Sequence, residues 1–329
     1  MITGESSSFR VAVLIPAWNE ESYICDALES VAAQTRAPDE IIVIDDGSSD
    51  STGKLVCEWS DTRGISVELI RQEQGGVASA RNCGLRHTRA DLVALLDADD
   101  LFLPHHLESA EAAFQHHPDL VLCFSDVDVL SQQRVLRQGF LADKSLESLE
   151  TVPGANGLRL ITTSPYASLI RGNYIPVSTS VYRVTALRSI CLFDQTLINA
   201  ADRDINLRLS RRGPFAYYPA RSARMRRRAE SLSVVNRLRA QRDRFRVVNK
   251  MLQNRDDLAL SHEEVEQTRY ALSQEARALL TVASCYGWSN YCDVVSFLGP
   301  RGFIFAAYNP LNLLRIIACA IGFAPKGTQ

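Results

Sequence analysis

Apolar positions along the first hundred residues fall into two alternating kinds of run. Nearly continuous apolar runs at residues 10–15, 40–44 and 92–96 predict short strands buried in a sheet, and residues 66–71 read as a further strand. Between them the spacing shifts to that of helices. Ile24, Ala27, Leu28, Val31 and Ala32 follow Asn19-Glu20-Glu21, and residues 77–85 follow the Gly75-Gly76 turn. Short strands alternating with helices predict an α/β fold with a doubly wound, mostly parallel sheet. Ligands bind such sheets at the carboxyl ends of the strands. The polar clusters at residues 16–20, 45–50 and 97–100 all fall at such ends.

Beyond residue 100 the pattern predicts a helix over 107–116, a strand over 120–125 and a strand-like stretch over 174–182. Another helix is expected over 204–211. Residues 132–163 mix charge, Gly and Pro without period and read as a loop region. From about Val235 the chain turns helical in composition. The expected organisation is one domain over residues 1–233 and a C-terminal helical region over 234–329. Residues 303–323 are markedly apolar but contain Asn309, Pro310, Asn312 and Arg315, a poor pattern for a spanning helix. They read either as a helical cap or as an interfacial segment that touches a membrane.

Charge alters this picture only in its distribution. The formal net charge of -2 argues against a general nucleic-acid binder. Sixteen of the 36 Lys and Arg residues nevertheless lie between Arg203 and Arg255, a segment that needs anionic company: phosphate, a lipid headgroup or the protein's own acids. The eight cysteines form no C-x-x-C pair and read as reduced thiols, with Cys83, Cys123 and Cys191 in segments of buried character. Residues 1–8 are polar and lack the features of a signal peptide, so a cytoplasmic location is expected.

Candidate chemistry concentrates at the strand ends. Asp97-Ala98-Asp99-Asp100 brings three carboxylates together where a buried strand emerges. A hard divalent cation shared with a diphosphate would relieve their repulsion. The plain alternative is that they cap a helix beginning near Leu101. Asp45-Asp46-Gly47 ends a second strand, where an acid can accept hydrogen bonds from a base or ribose or merely form a turn. Trp18, beside Asn19 and Glu20, reads as a stacking platform or a core residue. No G-x-G-x-x-G follows the first strand and no Walker A loop is present, which weighs against a nucleotidyltransferase or dinucleotide-dependent enzyme on a related doubly wound sheet.

Four ordered motifs narrow these options: residues 13–20 (VLIPAWNE), 42–50 (IVIDDGSSD), 75–82 (GGVASARN) and 95–100 (LLDADD). Together they resemble, over roughly residues 9–233, the signature of family-2 glycosyltransferases with the GT-A fold. The resemblance implies an inverting transferase, of hexosyltransferase type, that uses a nucleotide-sugar such as a UDP-sugar. Donor contacts would come from Pro16, Ala17, Trp18, Asn19, Glu20, Asp46, Gly76, Arg81, Asp97, Ala98 and Asp99. Asp99, with Asp97, would hold Mg²⁺ or Mn²⁺.

Residues 201–209 (ADRDINLRL) resemble the family's Glu-Asp-Trp-Asp segment, which makes Asp202 the matching base. A helix cap is the alternative for this residue. Two departures stand out. Ala201 replaces the family's Glu, and Arg228 stands where relatives carry His. Arginine cannot ligate a cation but suits phosphate oxygens, so Arg228 is expected to grip the diphosphate and lessen metal dependence. Residues 172–179 resemble the segment beside the acceptor site. Expected partners are a nucleotide-sugar donor and a glycan or glycolipid acceptor of cell-surface polysaccharide synthesis, with peripheral contact at the inner face of the membrane. The departures also admit a catalytically impaired relative that only binds nucleotide-sugar or glycan.

Overall fold

The computed structural model describes residues 9–131, 134–141, 149–228 and 236–299. The chain divides into two compact units, Met1–Arg228 and Ala229–Gln329.

In the first unit the described residues form one mixed sheet. Four parallel strands make its amino-terminal half: β1 (Val11–Ala17), β2 (Glu40–Asp45), β3 (Glu68–Arg71) and β4 (Leu92–Leu95), in the order β3-β2-β1-β4. β1 and β4 are buried along their whole length, as their unbroken apolar runs require. The crossovers are helices α1 (Ile24–Ala32), α2 (Thr52–Arg63) and α3 (Val77–His87). The apolar stripe of α1, Ile24, Ala27, Leu28 and Val31, faces the core. Helix α3 packs so closely on β1 that a Cβ at Gly84 would lie 2.0 Å from Leu14 Cδ1. Only glycine fits there.

The other half departs from the parallel pattern. β5 (Leu101–Phe102) and α4 (His106–His116) lead to β6 (Leu122–Ser131) and β7 (Arg134–Arg137). The stretch read as an irregular loop also contains β8 (Thr151–Pro153) and β9 (Arg159–Ile161), which extend the sheet edge in antiparallel pairing. These strands have three or four residues, too short to leave a period in the sequence. Residues 174–182 are only partly strand. After α5 (Tyr166–Leu169) the chain makes a 3₁₀ turn at Val177–Thr179, then inserts β10 (Val181–Arg183) antiparallel between β4 and β6. Helices α6 (Val184–Ser189) and α7 (Ala201–Leu209) precede β11 (Phe215–Arg226), which runs parallel to β6. Cys123 is buried, but Cys191 is exposed, because α6 ends at Ser189 and the chain turns there through positive φ at Cys191 and Leu192.

The second unit contains α8 (Arg237–Gln253), α9 (His262–Ser284) and α10 (Trp288–Leu298). Ser261 and Glu264 close a capping box at the start of α9. No described helix is long and apolar enough to cross a membrane. The apolar stretch at 303–323 and the residues of the Arg228 motif beyond position 228 lie outside the described residues.

Candidate active site

The carboxyl ends of β1, β2 and β4 bring the first, second and fourth motifs together. Pro16 and Ala17 close β1, and the Ala17 carbonyl accepts from the Asp46 amide at 2.8 Å. Asn19, at φ +54°, accepts from the Ser49 amide at 2.8 Å, so the loops after β1 and β2 are stitched into one rim. Trp18 is 45 % exposed on that rim, which excludes a core role and leaves its face free to stack. The buried Asp46 carboxylate accepts from the amides of Gly75 and Gly76 at 2.9 and 2.8 Å, and from Gln72 Nε2 at 2.6 Å. Asp46 thereby fixes the turn that opens α3. Gly76 caps that helix at φ +85°, a conformation that favours glycine.

Arg81, on α3, is buried, and its Nη2 donates to Asp97 Oδ1 at 2.7 Å. Its Nε–H is buried and finds no acceptor. The acidic run is therefore not three equivalent carboxylates. Asp97 carries the Arg81 guanidinium. Asp100 is buried, accepting from Ser178 Oγ at 2.5 Å and from the Arg226 amide at 2.8 Å. Burial, with Asp99 and Asp97 adding repulsion, pushes the Asp100 carboxyl well above the usual carboxylate range. Ala98 is buried between the acids.

Asp99 belongs to a third arrangement. Its Oδ2 lies 2.8 Å from Arg228 Nε, an ion-pair contact whose N–H is not aligned for a hydrogen bond. Arg228 also grips Glu20 with both terminal nitrogens, at 2.7 and 3.1 Å, and stacks 5.0 Å from the Tyr23 ring centre. Burial raises the Glu20 carboxyl against the opposing pull of Arg228. Burial and the Asp97 charge push Asp99 up to about 6, with Arg228 again opposing. The β11 terminus delivers Arg228 to this place. Arg226 Nη1 donates to the Asp99 carbonyl at 3.0 Å, and the Arg227 amide donates to Leu130 O at 2.8 Å. The late arginines thus find partners on the protein's own early acids, and Arg226 pairs with Asp26 in the same way at 2.7 Å.

A divalent cation shared by Asp97 and Asp99 fits this arrangement poorly. Each carboxylate already carries a guanidinium, and Arg228 has no lone pair to give. Among the described residues no group of three or more His, Cys, Asp or Glu side chains is placed to hold a metal.

Asp202 stands in the first turn of α7 and is not its cap. The N-cap is Ala200, in the left-handed region at φ +60° and without a side-chain bond. Helix α7 is anchored by Arg208 Nη2, which donates to the Leu192 carbonyl at 2.7 Å, and by Arg203 Nη2, which donates to the Ile170 carbonyl at 2.6 Å. Asp202 Oδ2 accepts from Asn173 Nδ2 at 2.6 Å, and Asp202 makes no ion pair among the described residues. The segment from Asn173 to Ser178 therefore touches Asp202 at one end and Asp100 at the other. Tyr182 is buried nearby in sequence, its hydroxyl donating to Asn206 Oδ1 at 3.0 Å, and burial raises its pKa.

Reading the sequence missed Tyr23 and the structural role of Asp100. Tyr23 meets its partner 205 positions away, and nothing local marks it. The Asp100 environment is built by Ser178 and the Arg226 backbone, also remote.

Residues 12–146 match the family model described as Glycosyl transferase family 2. Among relatives, the UDP-Glc:alpha-D-GlcNAc-diphosphoundecaprenol beta-1,3-glucosyltransferase WfgD of Escherichia coli is 38% identical over 101 residues, covering 30% of this chain and 39% of that protein. The poly(ribitol-phosphate) beta-N-acetylglucosaminyltransferase TarS of Staphylococcus aureus is 26% identical over 197 residues, covering 59% of this chain and 31% of TarS. The alignments cover about a third of the length of the first curated relatives. Among solved structures, S. aureus TarS 1-349 in complex with UDP-GlcNAc superposes with a TM-score of 0.58 at 19% identity, covering 95% of this chain and 92% of that one. The Pyrobaculum calidifontis mannosyltransferase PcManGT, in complex with GDP-Man and Mn²⁺, gives 0.54 at 17%, covering 97% and 88%. Over residues 12–146 the chain thus matches the glycosyltransferase family 2 model, and its fold is that of the solved GT-A glycosyltransferases.

Proposed function

We propose that this protein is an inverting glycosyltransferase that moves a hexosyl group from a UDP-sugar to a hydroxyl of a glycan or lipid-linked acceptor in cell-surface polysaccharide synthesis. The observation that carries this reading is the bridge from Asn173 to Ser178, which ties the carboxylate of Asp202 to the acidic run at the sheet edge. The WfgD name states both a UDP-sugar donor and a lipid-linked diphosphate acceptor, and one TarS structure holds UDP-GlcNAc.

In this mechanism the exposed Trp18 and the rim around Asn19 and Asp46 receive the nucleoside, and Arg81 and Arg228 face the diphosphate. The acceptor hydroxyl attacks the anomeric carbon from the face opposite the leaving group, and Asp202 takes its proton. The bond from the anomeric carbon to the diphosphate oxygen breaks, its electron pair staying with the diphosphate. A neutral amide partner suits Asp202 to this work, because Asn173 orients the carboxylate without neutralising it.

Residues 1–233 form the transferase domain in this reading, and 234–329 a helical region that meets an anionic membrane at its cytoplasmic face. Support comes from a cavity of about 430 Å³ in the second unit, lined by Arg237, Arg239, Arg242, Arg246 and Tyr286. Trp288 and Phe297 lie exposed on neighbouring α10. Guanidinium groups with interfacial aromatics complement phosphate headgroups. Co-sedimentation with phosphatidylglycerol vesicles but not phosphatidylcholine vesicles is the expected outcome, and equal behaviour with both would remove this element.

The transferase reading is tested by screening nucleotide-sugars for hydrolysis and transfer. Turnover of at least one UDP-sugar is expected. A second reading, a binding module without turnover, is favoured by Ala201, buried where the family resemblance expects Glu. Calorimetric binding across the panel with no turnover would establish it.

A further inference from the structure

We propose that the Arg228 guanidinium takes the place of the divalent cation in this site, so that a nucleoside diphosphate is bound, and its leaving charge offset, without metal. This rests on the nucleotide-sugar reading above and adds to it the identity of the positive charge.

Three backbone and side-chain bonds from residues 226 and 227 lock the end of β11 against the acidic run and β6, so position 228 is fixed beside Asp99. The guanidinium is then held on three sides, by the paired contact to Glu20, by Asp99 Oδ2 at 2.8 Å and by the Tyr23 ring at 5.0 Å. Such a cradle fixes the orientation of a planar cation, which a lysine in the same place would not keep.

Charge and hydrogen-bonding capacity agree with this assignment. A divalent ion at Asp99 would stand beside a permanent positive charge and compete with it for the same oxygen. Conversely, the Nε–H of Arg81 is buried without an acceptor, while that of Arg228 lies against Asp99 Oδ2 at 2.8 Å without the alignment of a hydrogen bond. Buried donors left unmade cost free energy, and phosphate oxygens satisfy guanidinium donors well. When the bond to the anomeric carbon breaks, the electron pair stays on the diphosphate, and the added negative charge meets Arg228. The acceptor proton goes to Asp202, so charge and atoms balance with no further reactant.

The test uses UDP as the probe, titrated calorimetrically into the full chain in EDTA and then in Mn²⁺. The wild type is expected to bind UDP in EDTA, with affinity changing less than about threefold on adding Mn²⁺. Arg228→His restores a metal-binding side chain. It is expected to lose about tenfold or more in EDTA and to regain affinity with Mn²⁺. Arg228→Lys keeps the charge without the fork; its binding in EDTA should be intermediate and indifferent to Mn²⁺. Circular dichroism checks that both variants fold, and the wild-type comparison stands without them. Wild-type binding that requires Mn²⁺, or Arg228→His binding like wild type in EDTA, would overturn the proposal while leaving the transferase reading intact. Failure of the wild type to bind UDP under either condition would overturn both.

Discussion

The acidic run after β4 and the single carboxylate of Asp202 show two uses of the same functional group. In the run every acid is engaged by a cation or sunk in protein. Asp97 faces Arg81, Asp99 faces Arg228, and Asp100 accepts from Ser178 and the Arg226 amide. Asp202 is half-buried and held by a neutral amide. Carboxylates held by guanidinium groups organise positive charge for a ligand. A carboxylate held only by an amide is oriented yet free to accept a proton. Position in the sequence does not separate these roles; partners do.

That contrast can be broken in several places. The largest effect is expected at Asp202. Asp202→Asn keeps the shape but removes the base, and initial-rate assays should find transfer reduced by roughly 10²–10⁴-fold; a loss below tenfold would erase the distinction. Next comes Asp100→Ala, which leaves the Ser178 hydroxyl and the Arg226 amide without their acceptor. Urea unfolding should reveal destabilisation of about 2 kcal/mol, and unchanged stability would return Asp100 to the ligand-binding acids. Asn173→Ala should lower kcat by about tenfold through a loosened Asp202 while UDP affinity holds; a change in affinity alone would make Asn173 a binding residue.

The smallest effect tests the same logic of partners at His106. This ring is buried against Phe102, with Ser222 at 2.8 Å, and burial lowers its pKa from 6.5 to about 3. Protonation therefore favours the unfolded chain. The stabilising effect is complete above pH 6.5 and declines as pH falls toward 3. Between pH 7 and pH 5.5 the loss attributable to His106 should be on the order of 1 kcal/mol. His106→Gln should flatten that part of the urea-midpoint profile, and an unaltered profile would contradict it.

Much of the amino-terminal half was legible in the sequence because β1, β2 and β4 are buried on both faces and the crossovers are regular helices. The continuous apolar runs that became β1 and β4 admit few other structures. The later half was less legible. β8 and β9 are stabilised by pairing to β11 rather than by their own pattern, and β10 is a three-residue insertion that breaks the parallel order. The candidate site divides similarly. The residues of the four motifs, Arg81 among them, do cluster at one sheet edge, yet the contacts that distinguish Asp99 and Asp100 come from Arg228, Ser178 and the Arg226 amide. Long-range pairing of this kind leaves no periodic trace.

The central claim, that arginine-paired acids hold the donor while Asp202 reacts, is tested most directly by titrating UDP calorimetrically into Asp202→Asn and Arg228→Ala side by side. Asp202→Asn should bind like the wild type, and Arg228→Ala should bind about tenfold or more weakly. Equal weakening of both variants, or undiminished binding by Arg228→Ala, would contradict it.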